Sequence, residues 1–216
     1  MQHMLVYADS LSWGLIPATR NRLPFEQRWP GVMEAALICK GRHVRVIEDC
    51  LNGRRTVWDD PFKQGRNGLA GVAQRIEIHS PLELVVLMLG TNDFQSMHEY
   101  NAWHSSQGIA ALVSAIRTAP IEPGMPAPQV LVVAPPPIRI PKGPLAPKFE
   151  GAAKKCVGIA SAYQQTCAEL SCHFFDAGSV TTSSNVDGIH LDVAQHAILG
   201  QALSEVVDLL LPKHAL

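Results

Sequence analysis

The stretch that decides the fold is MLVYADSLSW, residues 4–13. Its first half is an unbroken run of apolar and β-prone residues, which is typical of a parallel strand buried on both faces. The run stops at Asp9 and Ser10, two residue types that favour turns and helix N-caps. Because ligands of open α/β sheets bind at the carboxyl ends of strands, Ser10 is a candidate nucleophile. Taken alone, the pattern favours a serine that only caps the following helix.

Outward from this stretch, strands and helices alternate along the chain. Further strands are predicted at residues 44–48, 84–89, 130–134 and 172–176. One helix is predicted to start near residue 29, and a second to span about residues 69–78. A third is predicted over a stretch that includes residues 109–116, and two more over about 152–170 and 192–210. Five strands joined by right-handed helical crossovers predict an α/β fold, namely a three-layer α/β/α sandwich with a flavodoxin-like five-stranded parallel sheet.

Composition limits the class of protein. The chain has 216 residues, 47% of them hydrophobic and 17% charged, which predicts a single domain over residues 1–216 with a sizeable core. A net charge of −1 favours neither a nucleic-acid partner nor an anionic membrane. The longest apolar run is too short to span a bilayer, and the N-terminus does not resemble a signal peptide. We therefore expect a cytoplasmic location.

Cysteine and histidine spacing indicates neither a disulfide framework nor a metal centre. The five cysteines are odd in number and include no C-x-x-C pair, and the histidines include no H-x-x-x-H pair. This usage is typical of reduced, packed thiols in a cytosolic protein. We expect no metal and no cofactor.

Polar residues follow four of the predicted strands and so meet at one rim of the sheet. Acyl transfer needs a nucleophile, a base, a group that orients the base, and donors for the oxyanion. His190 is a candidate base for Ser10, and Asp187 is a candidate partner for its second ring nitrogen. The side chain of Asn92 and the backbone N–H groups of Ser10 and Gly53 are candidate oxyanion donors. Each residue taken singly also fits a turn, a helix cap or a solvated surface position.

The four blocks that carry these residues resemble the SGNH (GDSL-type) serine hydrolases. They occur in that family's order at residues 8–11, 53, 90–93 and 187–190. The likeness is stronger to the bacterial arylesterase and acyltransferase-perhydrolase branch, and the segments that carry it are residues 9–14, 28–30, 51–54, 88–93, 149–151 and 175–178. The resemblance implies an SGNH hydrolase fold, a Ser10–Asp187–His190 triad, and Ser10, Gly53 and Asn92 as oxyanion donors. One position departs from the pattern, because Ala8 stands where the family has glycine.

An apolar rim suggests the substrate class. Candidate pocket residues are Trp13, Leu15, Phe94, Ile138, Ile140, Phe149, Val186 and Ile189. Such a site suits short-chain acyl or aryl esters as small-molecule substrates, with transfer of the acyl group to alcohols or peroxide where water is excluded. A carbohydrate acetylesterase or a lysophospholipase-thioesterase is an alternative enzyme, and a non-catalytic binding module of the same fold is an alternative of another class.

A proline-rich arm, defined here as residues 135–150, follows the fourth strand. Proline lacks an amide hydrogen and clashes with a preceding helical turn, so we expect a stiff, extended segment at the surface. Its apolar side chains, Ile138, Ile140, Leu145 and Phe149, are expected to be exposed and to pack against a second subunit. The sequence thus predicts a homo-oligomer with a restricted entrance, as the resemblance also implies. The alternative is an arm folded onto its own domain.

Overall fold

Five parallel strands form one sheet in the order β2-β1-β3-β4-β5. The computed structural model describes residues 1–212, so the last four residues of the predicted domain, 213–216, lie outside it. The strands are β1 (Gln2–Ala8), β2 (Val44–Cys50), β3 (Leu84–Met88), β4 (Gln129–Ala134) and β5 (His173–Asp176). This order confirms the predicted flavodoxin-like sheet.

Helices cover both faces of the sheet. They are α1 (Ser10–Trp13), α2 (Trp29–Cys39), α3 (Leu69–His79), α4 (Ala102–Arg117), α5 (Ala152–Lys155), α6 (Ile159–Glu169) and α7 (Val193–Leu210). Leu5 and Tyr7 of β1 pack in a core with α3, α4 and α6, while Met4 and Val6 pack in a second core with α2 and α7. Burial on both faces explains why the strand has no charged or strongly polar residue from Met4 onward.

The single helix predicted over residues 152–170 is wrong, because the structure divides it into α5 and α6. α5 ends at Lys155, and Gly158 is the N-cap of α6 with φ +84°, a left-handed conformation that interrupts the helical path and that glycine adopts without steric penalty.

The proline-rich arm folds onto its own chain. It contains two short 3-10 turns, Gly143–Leu145 and Pro147–Phe149, rather than one extended run. The prediction that Ile138 and Phe149 are exposed is wrong, since they are 5% and 3% exposed and belong to this chain's core. Ile140, in contrast, is 77% exposed. Prolines fix the backbone of the arm, but tertiary packing decides which of its side chains face inward.

Among the helices of residues 1–212, none combines the length and apolar character needed to cross a bilayer.

Candidate active site

Three side chains of the predicted triad meet at the carboxyl rim of the sheet. Ser10 is the second residue after the end of β1, and its Oγ lies 3.1 Å from Nε2 of His190. Nδ1 of His190 lies 2.7 Å from Oδ2 of Asp187. All three residues are at most 6% exposed. The imidazole therefore bridges a hydroxyl and a carboxylate, an arrangement able to move a proton off the hydroxyl.

Asp187 is held as a carboxylate. Its Oδ1 accepts hydrogen bonds from the backbone N–H groups of Ile189 and His190, each at 2.9 Å. Burial raises its pKa, but the contact with the His190 ring and these two N–H donors outweigh burial and lower the pKa to about 2. An ionised Asp187 fixes the tautomer of His190 and stabilises its protonated form.

The His190 loop, defined as residues 187–190, depends on a glycine and on the proline-rich arm. Gly188 has φ +79°, and a Cβ there would lie 2.4 Å from the carbonyl oxygen of Ile140. The arm approaches this closely because the N–H of Arg139 donates to Gly188 O at 2.8 Å and that of Lys142 donates to Asp187 O at 2.9 Å. The arm therefore supports the loop that carries Asp187 and His190.

The Asn92 turn, defined as residues 90–95, lies after β3 and is anchored by buried Asp93. This carboxylate accepts hydrogen bonds from the backbone N–H and hydroxyl of Thr56 at 3.0 and 2.7 Å and from Ser105 at 2.7 Å. Gly90 has φ +123°, and a Cβ there would lie 2.2 Å from the Tyr163 hydroxyl, so only glycine fits. These contacts tie the turn to the loop after β2 and to α4.

The side chain of Asn92 faces Asp9. Its Nδ2 donates to Oδ2 of Asp9 at 2.9 Å and to the carbonyl oxygen of Arg54 at 3.2 Å. Both amide hydrogens are therefore engaged, the one on Arg54 at the longer distance. The amide oxygen accepts from Nε2 of Gln95 at 2.8 Å.

Asp9 has two roles, of which the sequence predicted only the helix cap. It does cap α1, because its Oδ1 accepts from the backbone N–H of Leu11 at 2.9 Å, but its other oxygen holds Asn92. Burial raises the pKa of Asp9 to about 6, against the lowering effect of these hydrogen bonds and of His190. The signal was present in the sequence as the acidic residue directly before Ser10.

Gly53 lies in the loop after β2 with φ +83°, next to the Arg54 carbonyl that contacts Asn92. Arg54 fastens this loop to β1, since its Nη1 donates to Ala8 O at 3.0 Å. Ala8 itself is fully buried in the core shared with α2 and α7. Its methyl group, the departure from the family pattern, is thus accommodated by packing.

The expected pocket residues fall into two groups. Trp13 and Leu15 are partly buried near Ser10, and Val186 is 54% exposed. The structure differs from the expectation for Phe94, Phe149 and Ile189, which are at most 3% exposed and belong to the core. For Phe94 the reason is that the Asn92 turn directs its ring inward. A cavity of about 430 Å³ lies beside the His190 loop, lined by Arg139, Ile140, Lys142, Ala153, Ser184, Asn185 and Gly188.

Comparison with known proteins agrees with this geometry. The model of the GDSL-like lipase/acylhydrolase family matches residues 9–198. The chain belongs to this family. Its fold is that of the SGNH hydrolase arylesterases.

Two solved structures are similar to this chain over the whole fold. The inhibitor-bound aryl esterase of M. smegmatis is 36% identical, with 98% of this chain and 100% of that chain covered and a TM-score of 0.93. A carbohydrate acetylesterase from Sinorhizobium meliloti is 34% identical, with 97% and 100% covered and a TM-score of 0.91. An arylesterase from Vibrio mimicus is 35% identical over 92 residues, which span 43% of this chain but only 38% of that protein. These relatives support ester hydrolysis as the reaction class.

Proposed function

We propose that the protein is a serine esterase that hydrolyses short-chain acyl or aryl esters through an acyl-enzyme. The observation that carries the proposal is the contact of Ser10 Oγ with His190 Nε2 at 3.1 Å, with Asp187 on the other ring nitrogen. In this proposal Ser10 attacks the ester carbonyl carbon while His190 takes its proton. His190 then protonates the leaving alcohol, and water activated by the same imidazole hydrolyses the acyl-enzyme.

The oxyanion of each tetrahedral intermediate is assigned to Ser10, Gly53 and Asn92. The first two would donate through backbone N–H groups and the third through its amide. Because both amide hydrogens of Asn92 are engaged, the oxyanion would replace the carbonyl oxygen of Arg54, which accepts at 3.2 Å, and leave the 2.9 Å contact with Asp9 in place. A full negative charge is a stronger acceptor than a neutral carbonyl, so this exchange favours the transition state.

Two substrate classes follow from the relatives. Similarity to the M. smegmatis aryl esterase supports aryl esters as the first candidate substrates of this chain. Similarity to the Sinorhizobium meliloti carbohydrate acetylesterase supports acetylated sugars as the second. Transfer of the acyl group to alcohols or peroxide is a further proposal, which depends on how well the site excludes water. A chain-length series of p-nitrophenyl esters, compared by kcat/KM with acetylated sugars, separates these candidates.

We also propose a homo-oligomer, with Ile140 of the proline-rich arm at the contact. The support is its 77% exposed side chain on a segment that also holds the His190 loop.

A fluorophosphonate probe tests the mechanism. We expect covalent labelling of the wild-type protein at Ser10, and Ser10→Ala should abolish both labelling and turnover of p-nitrophenyl acetate. Ser161→Ala is the matched control, because its hydroxyl lies on α6 and donates only to the carbonyl of Gly158. Equal labelling of wild type and Ser10→Ala would refute the proposal and favour the non-catalytic binding module.

A further inference from the structure

Four buried side chains form one line of hydrogen bonds that runs through Asn92. Nη2 of Arg55 donates to Oε1 of Gln95 at 2.6 Å, and Nε2 of Gln95 donates to Oδ1 of Asn92 at 2.8 Å. Nδ2 of Asn92 then donates to Oδ2 of Asp9 at 2.9 Å. All four residues are at most 4% exposed. Every donor in the line therefore points the same way, from Arg55 toward the rim that carries Ser10.

The direction of this line is set at the Arg55 end. A guanidinium group only donates hydrogen bonds, so the Gln95 atom that faces Arg55 must be the amide oxygen. The NH2 group of Gln95 then faces Asn92, whose oxygen must face it in turn. Arg55 is itself held by Asp60, at 3.2 Å, and donates through Nε to the backbone oxygen of Asn92 at 3.3 Å.

Shape alone does not fix the orientation of an asparagine amide, because its oxygen and NH2 group are nearly the same size. The carbonyl oxygen of Arg54 also accepts from Nδ2, at 3.2 Å, but this is the contact that the oxyanion would replace. Asp9 favours the observed orientation only while it is ionised, since a protonated carboxyl group can also donate. Arg55 cannot reverse in this way. The Arg55 end is thus the one end of the line whose polarity is constant.

We propose that Gln95 and Arg55 are positioning residues that keep the NH2 group of Asn92 directed at the oxyanion. The inference rests on the proposed role of Asn92 as an oxyanion donor. Both residues lie outside the four family blocks, and neither touches the reacting atoms. They would stabilise the transition state only through Asn92.

Two substitutions of Gln95 separate positioning from packing. Gln95→Glu keeps the shape and the contact with Arg55, but it presents an acceptor to the oxygen of Asn92 and so favours a flipped amide. Gln95→Met keeps the volume and loses both hydrogen bonds, yet it imposes no orientation. We therefore expect kcat to fall in the order wild type, Gln95→Met, Gln95→Glu. The melting temperature should fall in a different order, with Gln95→Met lowest because it leaves buried polar groups of Arg55 and Asn92 unpaired.

The expected size of the effect is bounded by Asn92→Ala. Loss of one oxyanion donor lowers kcat by about 10²–10³, so Gln95→Glu should lose at least about 10-fold in kcat for p-nitrophenyl acetate with little change in KM. Adding Gln95→Glu to Asn92→Ala should lower kcat no further, because the two changes remove the same interaction. Gln165→Glu is the charge control, since this exposed side chain on α6 donates only to Glu169.

Each outcome decides something. If Asn92→Ala keeps its kcat, the oxyanion role of Asn92 is wrong and the inference falls with it. If Asn92→Ala loses activity while Gln95→Glu retains kcat within about twofold, the proposed function stands and the positioning role is wrong. A kcat order that follows the melting temperatures, or additive losses in the double variant, would show that Gln95 only packs.

Discussion

The His190 loop and the Asn92 turn both bring polar side chains to Ser10, but they are built in different ways. In the His190 loop the key partners, Asp187 and His190, lie three residues apart. The NH2 group of Asn92 instead donates to partners that are distant in sequence, Asp9 by 83 residues and Arg54 by 38. The first loop is thus a local motif, whereas the second is assembled by the tertiary fold. We expect the loops to differ in the same way when they are mutated.

The largest expected effect lies in the His190 loop. His190→Ala removes the proposed base, so kcat for p-nitrophenyl acetate should fall by about 10⁴–10⁶. The melting temperature should also fall, because buried Asp187 loses its partner. Steady-state kinetics beside thermal unfolding measure both quantities.

A second histidine provides the matched control. His196 is fully buried on α7, and its Nδ1 accepts a hydrogen bond from the Trp29 backbone N–H at 3.2 Å. Burial, aided by the charges of Arg28 and His190, lowers its pKa to about 4, so it stays neutral at pH 7. His196→Asn should therefore lower stability and leave kcat unchanged. Equal losses of kcat in both variants would contradict a special role for His190.

The next effect concerns the charge of Asp9, the buried carboxylate that accepts a hydrogen bond from Asn92. The pKa of Asp9 is about 6 in the folded chain and 3.8 for an unperturbed carboxyl, so the folded state binds more protons between these values. The contribution of Asp9 to stability therefore falls as the pH rises from 4 to 6. Asp9→Asn keeps an N-cap of similar strength and removes this charge.

Relative to wild type, Asp9→Asn should gain stability between pH 4 and pH 7, by at most about 3 kcal/mol in the free energy of unfolding. Urea unfolding at both pH values gives the two differences. Taking the difference from wild type cancels His196, whose lowered pKa makes stability rise with pH over part of the same range. A difference that does not change with pH would mean that Asp9 carries no buried charge at the turn.

Most of the fold was predictable because burial on both faces leaves long apolar runs. Residues 4–8 of β1, all of β3 and residues 130–134 of β4 are such runs, and the observed sheet order is that of the predicted flavodoxin-like sheet. The break between α5 and α6 was not predictable in this way, since a glycine inside an amphipathic pattern is often tolerated. Which conformation Gly158 adopts depends on packing that the local sequence does not record.

In the candidate site, contacts between residues close in sequence were predictable, and contacts between distant residues were not. Asp187 and His190 were predictable as partners because their spacing is local. The contact of Gln95 with Arg55 was not predictable, because nothing in the sequence indicates that residues 40 positions apart share a hydrogen bond. The buried position of Phe94 was not predicted either, because an aromatic residue after a strand fits a pocket wall and a core equally well.

The smallest expected effect on turnover concerns the exposed face of the proline-rich arm. The arm holds this loop through backbone hydrogen bonds to Gly188 and Asp187, while the Ile140 side chain points outward. Ile140→Asp leaves those bonds intact, so kcat for p-nitrophenyl acetate should change by less than about twofold. Because Ile140 also lines the cavity beside the His190 loop, any effect on the substrate should appear in KM. If Ile140 packs against a second copy, the mass measured by light scattering should fall. Leu209→Asp, at an exposed position of α7, is the control and should keep the wild-type mass. An unchanged mass for Ile140→Asp would remove the arm from the interface, and a loss of turnover together with mass would mean that the neighbouring copy, too, supports the His190 loop.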